Sequence, residues 1–311
     1  MQRRQFLAST LAAGLLRAET EQPRTLVYKR AAGCDIKADV FGDTGGGKKP
    51  VAVWIHGGAL IMGSRRLSPD ARVLRSLLEA GFRVISIDYR LAPETKLPAI
   101  IEDVRDAIAW IRAQAGTLEI DAGRIAVCGG SAGGYLTLMA GWCVKPRPKA
   151  VVSFWGYGDI VGPWYSRPDP FYLKQPAVSR EEATAAVGRA PLSEPAAQNN
   201  RSRFYLYCRQ QGTWPKEVGG RDPDSARHWF DRYCPIRNVT REYPPTMLVH
   251  GTADTDVPHE QSKMMAERLR QVGVEHQFVS VPEGAHGIGN ISPGEQDRIY
   301  REAAAFLRVR V

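Results

Sequence analysis

The stretch "VCGGSAGGYLTLMAG", Val127 to Gly141, decides how the chain is read. The apolar run "RIAVCG" enters it as a buried strand, and an apolar helical pattern from Ala132 to Cys143 leaves it. Between the two, Gly129, Ser131 and Gly133 fit G-x-S-x-G. A strand that turns at once into a helix needs small neighbours at the turn, and it leaves the central serine strained and exposed. That serine also meets the helix N-terminus, where unpaired N–H groups favour developing negative charge. The pattern alone is weak; the strand before it and the helix after it make Ser131 a candidate nucleophile rather than a structural turn.

Outward from this turn, short β-branched runs alternate with helical patterns. "TLVYKR" and "CDIKADVFG" read as an opening pair of strands joined by a Gly-containing turn. "VAVWIH" is an unbroken apolar run typical of a strand covered on both faces. The order then reads helix near Pro69 to Ala80, strand "RVISID", helix near Ala99 to Gln114, strand "RIAVCG", helix Ala132 to Cys143 and strand "KAVVSFW". Such alternation predicts a mostly parallel sheet with helices on both faces. From Gly156 to about Tyr243 the pattern breaks into a Pro-, Arg- and aromatic-rich insertion. A structureless loop rarely exceeds roughly 15 residues, so the insertion is expected to hold structure of its own, as a cap over the C-terminal edge of the sheet. Ser179 and Glu182 have capping-box spacing, and "DPDSARHWFDRYCPI" reads as a further helix ended by Pro235. Alternation resumes with strand "PTMLVH", helix Glu260 to Val272, strand "HQFVSV" and a last helix near Pro293 to Leu307.

A nucleophilic serine needs a base, and six histidines are available. His250 ends an apolar strand, which suits a buried, hydrogen-bonded role. His286, in "PEGAHGIG", follows the last strand on a Gly-flanked loop that can carry an imidazole over the nucleophile. The base in turn needs a carboxylate to fix its tautomer. In "HGTADTDVP", His250 to Pro258, both Asp254 and Asp256 satisfy the order Ser, Asp, His. Earlier, "VAVWIHGGALIMG" sets His56, Gly57, Gly58 and Ala59 just after a strand, where small residues leave N–H groups free to face a substrate oxygen. With the N–H of Ala132 they can form an oxyanion hole, whose single donors are each worth on the order of 3 kcal/mol.

At 311 residues and 43% hydrophobic content, the chain can bury a full core as one large domain or one domain with a cap. Its net charge of +9 is scattered in ones and twos, without the basic stripe that nucleic-acid binding needs. Within "MQRRQFLASTLAAGLLRAE", Arg3, Arg4 and Arg17 precede any acid, and the apolar stretch Phe6 to Leu16 is followed by the small residue Ala18. This is a signal-peptide layout over residues 1 to 18, with residues 19–311 left as the folded domain, the cap insertion at about 156–243 included. The stretch is too short for a bilayer, which takes about 20 apolar residues. "RRQFL" resembles a twin-arginine export signal, which predicts a periplasmic or extracellular bacterial protein with no membrane span once mature. The five cysteines, Cys34, Cys128, Cys143, Cys208 and Cys234, include no C-x-x-C pair and no nearby His at ligand spacing, so no zinc site is expected. Cys128 and Cys143 are expected to pack, while the sequence leaves open whether Cys208 and Cys234 pair after export.

"HGGA", "DYRLAPE", "GGSAGG", "HGTADTDVP" and "GAHG", in this order, resemble the α/β-hydrolase superfamily. The nearer likeness is to hormone-sensitive-lipase-type carboxylesterases and to the prolyl-oligopeptidase catalytic domain, and it runs from about residue 50 to the C-terminus. The resemblance implies Ser131 as nucleophile, Asp254 as orienting acid and His286 as general base. It implies Gly58, Ala59 and Ala132 as N–H donors, with Gly57 a further candidate, and it implies no metal or organic cofactor. Asp256, just before Val257 and Pro258, is then expected to accept N–H bonds from the following turn and brace the loop. Ala59 departs from the third glycine of many members; its methyl group is expected to narrow the acyl side and to exclude donor geometries with positive φ.

The implied reaction is hydrolysis of carboxylic esters through an acyl-enzyme, on short-acyl or carbohydrate-linked esters of acetyl or feruloyl type met outside the cytoplasm. A prolyl-oligopeptidase-like peptidase is the competing reading, but about 20 residues precede the first strands, so no propeller is expected in this chain. A non-catalytic binding module would lack a member of the Ser-Asp-His set, and all three are present. Within the insertion, Arg201, Arg203, Arg209 and Arg221, with Trp164, Tyr205, Tyr207 and Trp214, are candidates to stack on or hydrogen-bond a flat or acidic group. Trp155, Arg209 and Trp214 are the expected substrate contacts.

Overall fold

The runs read as strands lie side by side in the computed structural model, which describes residues 22–42, 47–196 and 200–311. They are β1 (Arg24–Ala31), β2 (Cys34–Phe41), β3 (Lys49–Ile55), β4 (Arg83–Ile87), β5 (Ile120–Gly130), β6 (Val151–Phe154), β7 (Thr246–Gly251) and β8 (His276–Val281). Among the described residues they form one sheet in the order β1-β2-β4-β3-β5-β6-β7-β8. β1 pairs antiparallel with β2, and β2 with β4; every pairing from β4 onward is parallel.

The unbroken apolar runs follow from burial on both faces. In β3, Val51, Val53 and Ile55 join one core cluster while Ala52 and Trp54 join the other, because successive side chains point to opposite sides. Helices α1 (Arg72–Glu79), α2 (Leu97–Ala113) and α3 (Ala132–Cys143) follow β3, β4 and β5. The insertion contributes α4 (Pro163–Ser166), α5 (Arg180–Ala185), α6 (Ser202–Gln211), α7 (Trp214–Gly219) and α8 (Arg227–Phe230). After β7 and β8 come α9 (Glu260–Val272) and α10 (Pro293–Arg308). α1 and α10 bury Leu74, Leu77, Ile299 and Phe306 on one face, while α2, α3 and α9 bury Ile100, Leu136, Met265 and Leu269 on the other. α2 starts before Ala99 because Pro98 sits in its first turn, where a missing N–H costs nothing.

The insertion matches its sequence reading in one helix, departs from it in another, and holds a third that the sequence reading left unassigned. α5 carries the expected capping box: Ser179 Oγ accepts the Glu182 N–H at 3.1 Å, and Glu182 Oε2 accepts the Ser179 N–H at 2.8 Å. "DPDSARHWFDRYCPI" does not form one helix. Only α8 is α-helical, followed by 3-10 turns at Asp231–Tyr233 and Pro235–Arg237. Pro235 has no N–H to offer the Asp231 carbonyl, and Asn238 Nδ2 donates to the carbonyls of Asp231 and Cys234 instead, at 2.8 Å each. Conversely "FYLYCRQQGTWP" holds α6, which Gly212 ends in the left-handed region at φ 66°.

Two buried arginines clamp the insertion to the sheet. Arg201 reaches both carboxylate oxygens of Glu94, at 2.8 and 2.7 Å, and Arg65 Nη1 reaches Glu194 at 2.8 Å. Arg201 is therefore a clamp, not the recognition group for which it was a candidate. All five cysteines are free thiols, and Cys208 and Cys234 are buried apart from one another, with Cys234 Sγ 3.6 Å from Asp159 Oδ1. Residues 1–18, read as an export signal, lie outside the described residues. Among the described residues no helix is long and apolar enough to cross a membrane.

Candidate active site

Ser131 stands between β5 and α3 with φ 57° and ψ −121°, the strained turn that the motif requires. The glycines around it are there for space. A Cβ on Gly133 would fall 2.0 Å from the Ile55 carbonyl oxygen, and one on Gly129 would fall 2.5 Å from the Gly133 oxygen. Only hydrogen at these positions lets β3, β5 and α3 meet closely enough to lift the serine out of the sheet edge.

His286 arrives from the loop after β8 and Asp254 from the loop after β7. The two loops run against each other because Gly251 and Gly284 touch: a Cβ on Gly251 would lie 2.0 Å from the Gly284 oxygen. The Ala253 N–H also donates to that oxygen at 2.9 Å. His286 Nε2 then lies 3.0 Å from Ser131 Oγ, and its Nδ1 lies 2.7 Å from Asp254 Oδ2. These partners assign the proton to Nδ1, leaving Nε2 as the acceptor facing the serine hydroxyl.

Asp254 has every acceptor position filled. Oδ1 accepts the N–H groups of Asp256 and Val257, both at 2.9 Å, and Oδ2 accepts His286 and, at 3.2 Å, Nε2 of buried His250. Burial alone would raise its pKa, but the donors from His250 and His286 outweigh it and hold the carboxyl well below the usual carboxylate range. His250 is held by Ser262 Oγ at 2.7 Å on Nδ1 and by the Val257 carbonyl at 3.0 Å on Nε2. It plays the buried, hydrogen-bonded role expected of it. Its grip on Asp254 was missed, although four-residue spacing across the strand end was the available signal.

The two aspartates divide their work differently from the expectation. Asp254, not Asp256, accepts the turn N–H groups. Asp256 Oδ1 instead accepts Tyr172 Oη at 2.7 Å, Tyr205 Oη, and Arg209 Nη1 at 2.8 Å, all from the insertion. Its Oδ2 faces His286 Nε2 at 3.4 Å. Burial lowers the His286 pKa, while the Asp254 hydrogen bond and the charges of Asp256 and Asp254 raise it by more; Arg209 opposes them, and the net shift is upward.

Gly57 passes against the serine, since a Cβ there would come 3.2 Å from Ser131 Cβ. Gly58 has φ 105°, and its carbonyl accepts the N–H groups of Ile61 and Met62 at 2.8 and 2.9 Å, which closes a tight turn. Among the described residues the N–H groups of Gly58, Ala59 and Ala132 have no acceptor within the protein. Ala59 was expected to exclude positive φ, yet it has φ 56° and is followed by Leu60 at φ 62°. Trp214 Nε1 supplies a reason, donating to the Ala59 carbonyl at 2.9 Å. His56 lies beneath the loop, stacked on Tyr89 with ring centroids 4.2 Å apart. Burial drops its pKa to about 4 and keeps it neutral.

The expected substrate contacts fare unevenly. Trp214 is 0% exposed and Arg209 1% exposed, so neither is an open contact. Arg209 is spent on Asp169, Asp256 and Tyr205, with its guanidinium over the rings of Tyr172 and Tyr165. Trp155 is also mostly buried, but its ring stands edge-on to His286, 6.4 Å between centroids, and walls the site. Arg203 pairs with Glu182 at 2.7 Å, and Arg221 lies over Trp229.

The sheet order, the serine turn and the neighbouring His and Asp define the class: the chain is an α/β-hydrolase. It belongs to the BD-FAE family, which it matches over residues 39–269. It is 33% identical to esterase LipC of Mycobacterium tuberculosis over 83% of this chain and 58% of that protein. It is 30% identical to the non-reducing polyketide synthase ausA of Aspergillus calidoustus over 92% of this chain but 14% of the synthase. The chain thus spans a small part of the synthase and less than two thirds of LipC. A Staphylococcus aureus protein of unknown function shares the fold with a TM-score of 0.77 at 24% identity, covering 92% of this chain and 99% of the other.

Proposed function

We propose that the protein is a carboxylic-ester hydrolase that works through Ser131, His286 and Asp254. The observation that carries this reading is His286 placed between the other two, 3.0 Å from Ser131 Oγ and 2.7 Å from Asp254 Oδ2. Esterase LipC, a relative by sequence, supports ester chemistry as the class.

In the proposed cycle Ser131 Oγ attacks the ester carbonyl carbon as Nε2 of His286 takes its proton. Asp254 holds the resulting imidazolium at Nδ1, and the N–H groups of Gly58, Ala59 and Ala132 receive the oxyanion. Collapse breaks the bond to the alcohol oxygen, which takes the proton from Nε2. Water then gives a proton to Nε2 and adds to the acyl carbon; the second collapse frees the acid and returns the proton to Ser131. Esters with short acyl groups on carbohydrate-linked alcohols, met by an exported enzyme outside the cytoplasm, fit the Arg3-Arg4 signal layout.

Labelling with a fluorophosphonate probe tests the assignment. Wild-type protein is expected to be labelled at Ser131, whereas Ser131→Ala, with an unchanged circular dichroism spectrum, loses labelling and p-nitrophenyl acetate turnover by on the order of 10⁴-fold or more. Retained turnover in Ser131→Ala sinks the reading. Mass spectrometry of exported material tests the signal, where an intact Met1 would count against it.

A further inference from the structure

His286 Nε2 is the atom that hands a proton to the leaving alcohol, so whatever borders it borders the alcohol side of the substrate. Besides the nucleophile Ser131 Oγ, Asp256 Oδ2 does so, at 3.4 Å. The carboxylate is aimed by its other oxygen. Oδ1 is saturated by Tyr172 Oη, Tyr205 Oη and Arg209 Nη1, and Arg209 is itself fixed by Asp169. Tyr205 and Arg209 are buried on α6, so the insertion holds Asp256 in one orientation. Among the described residues no donor other than His286 approaches Oδ2, and the Asp256 side chain is 21% exposed at the mouth of the site.

Resting upon the proposed reaction at Ser131, we infer that Asp256 is a specificity-determining residue that accepts a hydrogen bond from a hydroxyl group next to the scissile oxygen, and so favours esters of polyols and sugars. In the neutral His286 the Nε2 lone pair faces the serine, so the imidazole gives Oδ2 no proton and the acceptor is open. A hydroxyl on the carbon adjacent to the ester carbon reaches it while the ester oxygen stays beside Nε2. A neutral donor suits the site better than an ammonium group, because the Asp256 charge already has the Arg209 guanidinium as its partner at 2.8 Å. The Asp256 hydroxyl bond adds no chemical step: it is made to the alcohol before attack and lost with it after collapse.

The test compares 2-hydroxyethyl acetate with 2-methoxyethyl acetate, which share an acyl group and a similar inductive effect but differ in the donor. Wild-type kcat/KM is expected to favour the hydroxyethyl ester by about tenfold, as befits a hydrogen bond to a charged acceptor. In Asp256→Asn, whose amide turns a donor toward the site, the ratio is expected to fall to near one. A wild-type ratio below about two overturns the inference without any variant, and so does a ratio that Asp256→Asn leaves unchanged. Preference for acetylcholine over its neutral isostere 3,3-dimethylbutyl acetate would assign Asp256 to cations and overturn the hydroxyl reading. If folded wild-type protein cleaves none of these esters nor p-nitrophenyl acetate, the hydrolase reading fails first and takes this one with it.

Discussion

Trp214, fully buried on the insertion, donates its indole N–H to the carbonyl oxygen of Ala59 at 2.9 Å. That bond joins the insertion to the backbone segment proposed to receive the oxyanion. The segment is under load, because Ala59 and Leu60 both sit in the left-handed region, at a cost of roughly 1–2 kcal/mol per residue with a Cβ. Trp214→Phe removes the indole N–H, leaving the Ala59 carbonyl without its donor, and trims one fused ring from a fully buried site. The expected loss is about 2–4 kcal/mol of stability, from the hydrogen bond and the cavity together, and about tenfold in kcat, with KM little changed, since the donors act on the transition state. Thermal unfolding and steady-state kinetics on p-nitrophenyl acetate check it; wild-type kcat in the variant would show that the loop holds itself.

Ala59 offers a second test of the same load. At φ 56° glycine has no steric penalty, so Ala59→Gly is expected to match or exceed wild-type stability by up to about 1 kcal/mol and to keep its activity. Ala59→Val puts a β-branched side chain where even alanine is strained, inside a buried position, and is expected to lower both Tm and kcat. If Val is tolerated as well as Gly, the φ at this position is not what shapes the loop.

These two positions also show where the sequence stops being readable. The serine turn, α3, α9 and β8 lie within the spans read from sequence, because their causes are local: glycines that permit contact, apolar periodicity, and Gly273 in the left-handed region just past α9. The φ of Ala59 is not local, since a ring from the insertion props it. Arg201 and Arg209 look like solvent-facing charges in the sequence, and only Glu94, Asp169 and Asp256, brought from far along the chain, make their burial affordable. For the same reason Asp254 and Asp256 could be ranked by their place after the strand, but not by which one takes the turn N–H groups. That depends on side-chain direction, which Tyr172, Tyr205 and Arg209 impose on Asp256.

The His286 environment gives a pH dependence with a definite sign. Burial pulls its pKa below the ordinary 6.5, the Asp254 hydrogen bond and the Asp256 and Asp254 charges push it up by more, Arg209 pulls it down, and the balance is upward. The base must be neutral to take the serine proton, so kcat/KM is expected to fall as pH drops through an inflection above 6.5. Asp256→Asn removes one upward contribution and leaves Arg209, so its inflection moves to lower pH. A kcat/KM profile on a phenyl ester, which carries no hydroxyl for Asp256, reads this shift apart from alcohol recognition. An unmoved or higher inflection would mean that Asp256 does not act on the imidazole.

The last prediction separates the two aspartates by stability as well as rate. Asp254→Asn keeps an oxygen for the Asp256 and Val257 N–H groups but turns an amide toward His286 Nδ1 and His250 Nε2, two groups that both donate to the carboxylate. His286 must then present the wrong tautomer to Ser131, and kcat is expected to fall on the order of 10⁴-fold. The buried His250 loses the charge facing it at 3.2 Å but keeps the Val257 carbonyl as the acceptor for its Nε2 proton, so the stability cost is expected to stay near about 1 kcal/mol. Asp256→Asn leaves the turn N–H bonds intact, because Asp254 makes them, and Arg209 keeps Asp169 as a charge partner. Its phenyl-ester kcat at pH 8 is expected to fall by roughly tenfold at most, as for one hydrogen-bonded or screened charge contact. Chemical denaturation and kinetics on the two variants decide it: a larger kcat loss in Asp256→Asn than in Asp254→Asn would move the orienting role to Asp256 and require His286 to turn over.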